Sequence, residues 1–330
     1  MGSLILTADD YGACDFIDNG IIRALKEGKI NTVTAFVTHP TSKSRMQTLL
    51  ELREELKEKN SGFYTFNIGL HFSLTSGGAI TGKSTLVDNK KTPDGKFEFY
   101  EAKNYPFNTI ELNHLEQELN AQLNLLNEWL GEVPIDHVTN HHGISYLDVD
   151  FFEHYIQTIA AFKSPKLNHK LPIRSPWSWL KSDMKVWKNG KLLVPTIKQG
   201  IELGLWKKLG DLTNKQLKLR EEHAHALIIN FPHFLADTFY GLPFGENLDA
   251  LFSELSKKNY SAEFMFHLGQ PDSPVENLEK TIAELDMPHG IDRGYFLNRT
   301  KEFDVLNGTN IDAKINNYNL KKIYFSEVAL

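Results

Sequence analysis

Cysteine is almost missing from this chain: Cys14 is alone among 330 residues, so no intramolecular disulfide can form and no Cys-x-x-Cys pair exists to hold a structural zinc. Any bound metal would have to rest on histidine and carboxylate side chains. Long apolar runs are missing as well, and nothing approaches the roughly 18 uninterrupted apolar residues of a membrane helix. The first ten residues carry no basic n-region, and position six is Leu6, where N-myristoylation needs Ser or Thr. These absences lead to the expectation of a soluble, cytoplasmic protein. Positive charge is not in excess either: 36 Lys and Arg stand against 42 Asp and Glu, which removes the electrostatic reason for binding a nucleic-acid backbone.

What the chain does have is length. Its 330 residues suffice for one large α/β domain or two modest ones. Leu4, Ile5 and Leu6 form a short buried-strand signal that runs into Thr7, Ala8, Asp9, Asp10, Tyr11 and Gly12. Ile17, Ile21, Ala24 and Leu25 then line one face of an amphipathic helix that stops at Gly28. Further strands are expected over 32–38, 66–72, 135–140, 171–175, 226–231, 262–267 and 322–326. Helices are expected over 45–59, 149–162 and around 275–285 and 300–306. A longer helix carries Leu112, Leu115, Leu119, Leu123, Leu126 and Leu130 on its apolar stripe, after a capping box of Asn108 and Glu111. Eight strands separated mostly by helices favour a single α/β domain over 1–330, a (β/α) barrel of the TIM-barrel-like kind, with an open doubly wound sheet as the other topology. Two stretches break the alternation and read as insertions: 77–107, dominated by Gly, Lys, Asp and Pro, and 177–220, which holds four of the five tryptophans.

Polar residues in otherwise apolar strands carry the functional signal. Asp9, Asp10, His71, His141, Arg174 and His267 all fall at or just past the C-terminal ends of expected strands. In a barrel those ends converge on one mouth, where catalytic groups collect. An Asp and two His there, with an open position, resemble the ligand set of a catalytic zinc or similar divalent ion. Asp9 and Asp10 are strand neighbours, so their side chains point apart and have separate jobs. Plainer readings compete. Asp9 or Asp10 would equally cap the helix near Asp15 or organise the turn at Gly12. His71 would serve as a core histidine satisfied by a backbone carbonyl, and His267 would pack beneath Met265 and Phe266. If the strand persists through His141 and His142, only one of the two faces the mouth. His39 carries no expected role.

Three segments, Thr7-Ala8-Asp9-Asp10-Tyr11-Gly12, Gly69-Leu70-His71-Phe72-Ser73-Leu74-Thr75 and Glu263-Phe264-Met265-Phe266-His267, resemble motifs of the YdjC-like carbohydrate deacetylases. Similarity continues through 232–241 and 299–306, so it spans nearly the whole chain. The resemblance implies a barrel-like hydrolase that uses a divalent metal ion, Mg2+ or Zn2+, to remove the acetyl group from an N-acetylated sugar such as a chitooligosaccharide. Its partner is then that sugar, with no nucleic acid and no membrane, and a homodimer is compatible with it. Carried over by motif, Asp10, His71 and His141 match the metal ligands and Asp9 the catalytic base. His267 matches a late histidine of the family and Arg174 an arginine at the end of a middle strand; the expectation here is that His267 protonates the leaving amine and that Arg174 orients Asp9 or binds a substrate hydroxyl. The chain departs from the family where Thr139, Gly143 and Ser145 replace an Asp and two His. That departure bears on substrate and rate, and it admits an alternative, a sugar-binding pseudoenzyme of the same fold.

Overall fold

A computed structural model describes residues 1–59, 66–82, 85–87, 95–97, 105–146, 148–167, 171–174, 228–229, 233–235, 249, 252–253, 255–257, 261–270, 293–308 and 310–328. The first strand, β1 (Ser3–Tyr11), is buried along its whole length and forms the spine of the sheet. Its near-continuous apolar run is what a strand covered on both faces requires. Helix α1 (Asp15–Lys26) follows, with Asp15 and Asp18 in its first turn and Arg23 and Lys26 in its last, the arrangement that suits the helix dipole. Gly28, at φ +68, takes the left-handed turn beyond its end.

The chain then alternates through β2 (Thr32–Ala35), α2 (Ser42–Lys59), β3 (Asn67–Phe72), α3 (Leu112–Trp129), β4 (Val138–Asn140), α4 (Val149–Ala161) and β5 (Ile173–Arg174). Short strands β6 (Ile228–Ile229) and β7 (His233–Leu235) precede β8 (Ser261–Phe266). Helices α5 (Arg293–Gly308) and α6 (Ile311–Asn317), strand β9 (Lys321–Lys322) and helix α7 (Phe325–Val328) close the described chain. Strand order is β6-β5-β4-β3-β2-β1-β8-β7, with β9 also pairing β1. Each of the named strand pairs is parallel.

This is an α/β fold whose parallel sheet curls into a barrel-like form. One contact demonstrates the curl. Arg174 on β5 donates to Asp9 on β1 at 2.6 Å, although four strand intervals separate them, roughly 19 Å in a flat sheet. The C-terminal ends of the strands therefore face one another across a common mouth.

The ends of elements differ from the sequence expectation in places. The second strand stops at Ala35, short of position 38. Strand β7 has no counterpart among the expected strands. The expected 322–326 strand is reduced to Lys321–Lys322, and the chain turns helical at Phe325. There the Glu327 carboxylate accepts the Tyr324 N–H at 2.8 Å, a local tie that favours a helix start over an extended run. The Asn108 and Glu111 capping box does not form. Asn108 sits inside a 3-10 turn, Phe107–Thr109, and Glu111 is itself the N-cap residue with no side-chain cap bond. Of the 77–107 excursion, the described part includes a small antiparallel hook in which Gly78 bridges to Lys96. The 177–220 stretch and the 275–285 helix lie outside the described residues.

Candidate metal centre and active site

The mouth is organised by a defect in β1. Pairing with β2 shifts register between Ala8 and Tyr11, and Asp10 within that bulge adopts φ +73. A bulge re-aims the side chains around it. Asp9 and Asp10 therefore meet different partners while both remain buried at the mouth.

Asp9 is held from two sides. Its Oδ1 accepts the Thr34 hydroxyl at 2.8 Å and the Arg174 Nη2 at 3.0 Å, while its Oδ2 accepts Arg174 Nη1 at 2.6 Å. Arg174 also donates its Nε to both oxygens of Glu263 on β8, at 2.9 Å each. One buried guanidinium thus bridges two buried carboxylates from separate strands. Burial alone would raise the Asp9 pKa; the Arg174 charge overcomes it and leaves the carboxyl below its ordinary value.

Asp10 belongs to a different group. Its Oδ2 pairs with Arg299 of α5, and its Oδ1 lies 3.0 Å from His71 Nε2 and 3.3 Å from His141 Nδ1. The two ring nitrogens are 3.1 Å from each other. Two ligands bound at about 2.05 Å with a tetrahedral angle between them lie about 3.3 Å apart, so these spacings suit one shared small cation. Burial opposes the charge of Asp10, but Arg299, with help from His141 and His71, holds the carboxyl well below its usual range. His141 is shifted the other way from charge: burial lowers its pKa, which keeps the ring neutral and its lone pair available.

Proton placement around His71 points to the same conclusion. Its Nδ1 is 2.6 Å from the Thr139 hydroxyl, which itself donates to the Leu70 carbonyl at 3.3 Å. With its only proton committed to that carbonyl, Thr139 accepts from Nδ1–H, and Nε2 presents a lone pair toward Asp10. Asp10 Oδ1 is buried and makes no hydrogen bond of acceptable geometry among the described residues. Asp10 Oδ1 and His71 Nε2 both present lone pairs here, and a cation between them would satisfy both. The donor set of two imidazoles and one carboxylate therefore fits a divalent metal.

His141 reaches this point because β4 ends at Asn140. Residues His141–Tyr146 form a 3-10 segment kinked at His142 (φ +53) and Gly143 (φ +63). The strand does not persist through both histidines, so the expectation that only one faces the mouth does not apply. Their rings lie 3.8 Å apart. Asn140 closes the turn, donating from Nδ2 to Ser145 Oγ at 2.8 Å and accepting the Ser145 N–H at 3.2 Å.

The capping alternative for the two aspartates has another occupant. Asp18 Oδ1 accepts the Gly12 N–H at 2.7 Å, and the N-cap residue of α1, Cys14, makes no side-chain cap bond. His267, just past β8, is half-buried. Its backbone N–H donates to Glu302 at 2.7 Å, and its buried Nδ1 has no hydrogen-bond partner among the described residues. A proton on His267 would lower the pKa of both Asp9 and His141.

Sequence reasoning gave no roles to Glu263, Arg299, Thr34 or Glu302. Glu263 had a legible signal, a lone carboxylate in the middle of an apolar strand. Arg299 had none, since an arginine in a mixed helix looks solvent-facing.

An Enterococcus faecalis V583 crystal structure, provisionally described as a cellobiose-phosphate cleavage protein, superposes over 100% of this chain and 99% of its own with a TM-score of 0.67 at 17% identity, which speaks for the fold alone. A chitooligosaccharide deacetylase from Yersinia enterocolitica is 33% identical over 146 residues, 44% of this chain and 51% of that protein. One from Yersinia pestis is 27% identical over 171 residues, 52% of this chain and 58% of that protein. The match thus spans somewhat over half the length of these curated relatives. The family model described as YdjC-like protein fits residues 3–317. That span begins with β1 and ends with α6, taking in both carboxylates, the histidine cluster and both arginines of the mouth, and the chain belongs to the YdjC-like protein family.

Proposed function

We propose that this chain is a metal-dependent carbohydrate deacetylase that hydrolyses the N-acetyl group of an N-acetylated amino sugar or short oligosaccharide, releasing acetate. The observation that carries the reading is the convergence of Asp10, His71 and His141 beside an arginine-clamped Asp9. The relatives named chitooligosaccharide deacetylases support the substrate class. A divalent ion, Mg2+ or Zn2+, held by Asp10, His71 and His141 would supply Lewis acidity toward the acetamide carbonyl and toward water.

The chain's own residues supply the rest. Asp9 takes a proton as the water oxygen adds to the carbonyl carbon. Arg174 fixes both oxygens of Asp9 and keeps the group ionised, so that it is a base at neutral pH. His267 gives a proton to the sugar nitrogen as the C–N bond breaks, because an unprotonated amine leaves poorly. The replaced family positions keep work to do here: Thr139 orients His71, and Ser145 closes the turn that carries His141. That favours an active enzyme over a sugar-binding pseudoenzyme. On this reading residues 1–330 are one barrel domain, with 77–107 and 177–220 as its insertions.

Acetate release from N-acetylglucosamine oligomers, with and without chelator, is the direct test. A metal-loaded sample should release acetate and a chelated one should not, while Asp9→Asn should lose on the order of 10²–10⁴ in rate. No acetate from any such sugar, with Asp9→Asn changing nothing measurable, would overturn the reading.

A further inference from the structure

Four non-glycine residues among those described have positive φ: Asp10, His142, Asn310 and Asn319. The two asparagines flank α6; asparagine tolerates the left-handed region well, and aspartate and histidine enter it more readily than most side chains. The other two both lie at the mouth. Strain of this kind, of order 1–3 kcal/mol for an ordinary residue, persists only where the surroundings impose it, and it gathers at functional sites. Asp10 already has its explanation in the ligand cluster. His142 does not.

Its setting is built rather than incidental. The Asn140–Ser145 pair closes the turn around it. Thr75, buried in the loop after β3, places its hydroxyl 3.0 Å from His142 Nδ1. That loop is itself anchored, since Gln122 of α3 donates to the Ser73 carbonyl at 2.8 Å and accepts its N–H at 3.1 Å. The imidazole lies over the His141 ring at a tilt of 31°. Asp10, His71 and His141 are buried, whereas His142 is exposed. Of the two residues, His142 is the one open to solvent.

We propose that His142 is a substrate-contacting residue, its imidazole presented to a hydroxyl or the N-acetyl carbonyl of the acetylated sugar, with Thr75 as the residue that positions the ring. This rests on the deacetylase reading and deepens it by naming a contact beside the metal ligands. A surface residue with no such task would be cheaper as Gly or Asn at φ +53.

That cost supplies the experiment. His142→Gly and His142→Asn both relieve the backbone strain and remove the imidazole. With N,N′-diacetylchitobiose as the probe, both should keep the metal content and a Tm within about 2 °C of wild type or above it. Their KM should rise about five- to tenfold with kcat within about twofold, the signature of a lost ground-state contact. Thr75→Val should move KM the same way by less, and Thr75→Ser should restore it. Unchanged kcat/KM in both His142 variants of an active enzyme would overturn the assignment alone. A metal-loaded wild type that neither deacetylates nor binds the probe would overturn the deacetylase reading and this assignment with it.

Discussion

The hydroxyl of Thr139 decides what His71 can do. By accepting from Nδ1 it leaves Nε2 deprotonated and facing Asp10, which is the ligand form of the ring. Thr139→Val keeps the shape of the side chain and removes the acceptor. The variant should bind Zn2+ about 10- to 100-fold more weakly, the usual cost of losing such an outer partner, while Thr139→Ser should bind like the wild type. Isothermal titration of the metal-free protein measures this directly, and equal affinities in all three would refute the tautomer assignment. Much of the site is legible one residue at a time: Asp9, Asp10, His71, His141, Arg174 and His267 stand out as polar groups ending apolar runs. Thr139 is not, because in the sequence it is a substitution that looks like a loss. Only the 2.6 Å contact shows that a neutral hydroxyl can hold the imidazole. Arg299 is equally hidden, since its burial against Asp10 depends on α5 packing beside α1.

Elements were legible where periodicity was strong and blurred where a side chain ties down the end of a helix. The leucine stripe of α3 announces the helix, yet Glu118 and Gln122, polar by type, turn out fully buried and bind the loop after β3. Helix α1 offers a similar case with a measurable consequence. Asp18 reaches back to the Gly12 N–H and also pairs with Arg45 of α2 at 2.8 Å, tying the β1–α1 turn to both helices. Burial pushes the Asp18 carboxyl up to about 7 from 3.8, against the pull of Arg45. Between those values the folded chain holds a proton that the unfolded chain has released. Stability from this group therefore falls as pH rises from about 4 to about 7 and is level above that. Asp18→Asn keeps an acceptor for Gly12 and cannot titrate. Its stability relative to wild type should climb across the same window, as read from denaturant midpoints at a series of pH values. Parallel curves for the two proteins would show that Asp18 is ionised throughout.

At the scale of the whole molecule, what the sequence could not display is curvature. Order and polarity of the strands allowed a barrel or an open sheet, and the choice rests on contacts such as Arg174 to Asp9 that only a curled sheet permits. The same curl brings together ligands from β1, from β3 and from the turn after β4, so a bound metal would cross-link three parts of the sheet far apart in sequence. A ligand that binds only the folded chain stabilises it by RT ln(1 + [L]/Kd), about 2.7 kcal/mol at a hundred times Kd. Zn2+ should therefore raise the Tm by several degrees, and Mg2+ by less at equal concentration, because imidazole nitrogens suit the softer ion. EDTA should reverse the gain. His71→Ala should abolish it, since two remaining ligands hold the ion poorly. Hydrogen exchange adds the spatial half of the test: added protection should appear in β1, β3 and β4 together, linked through the ion. A Zn2+ shift that survives in His71→Ala, or protection confined to one strand, would place the metal elsewhere.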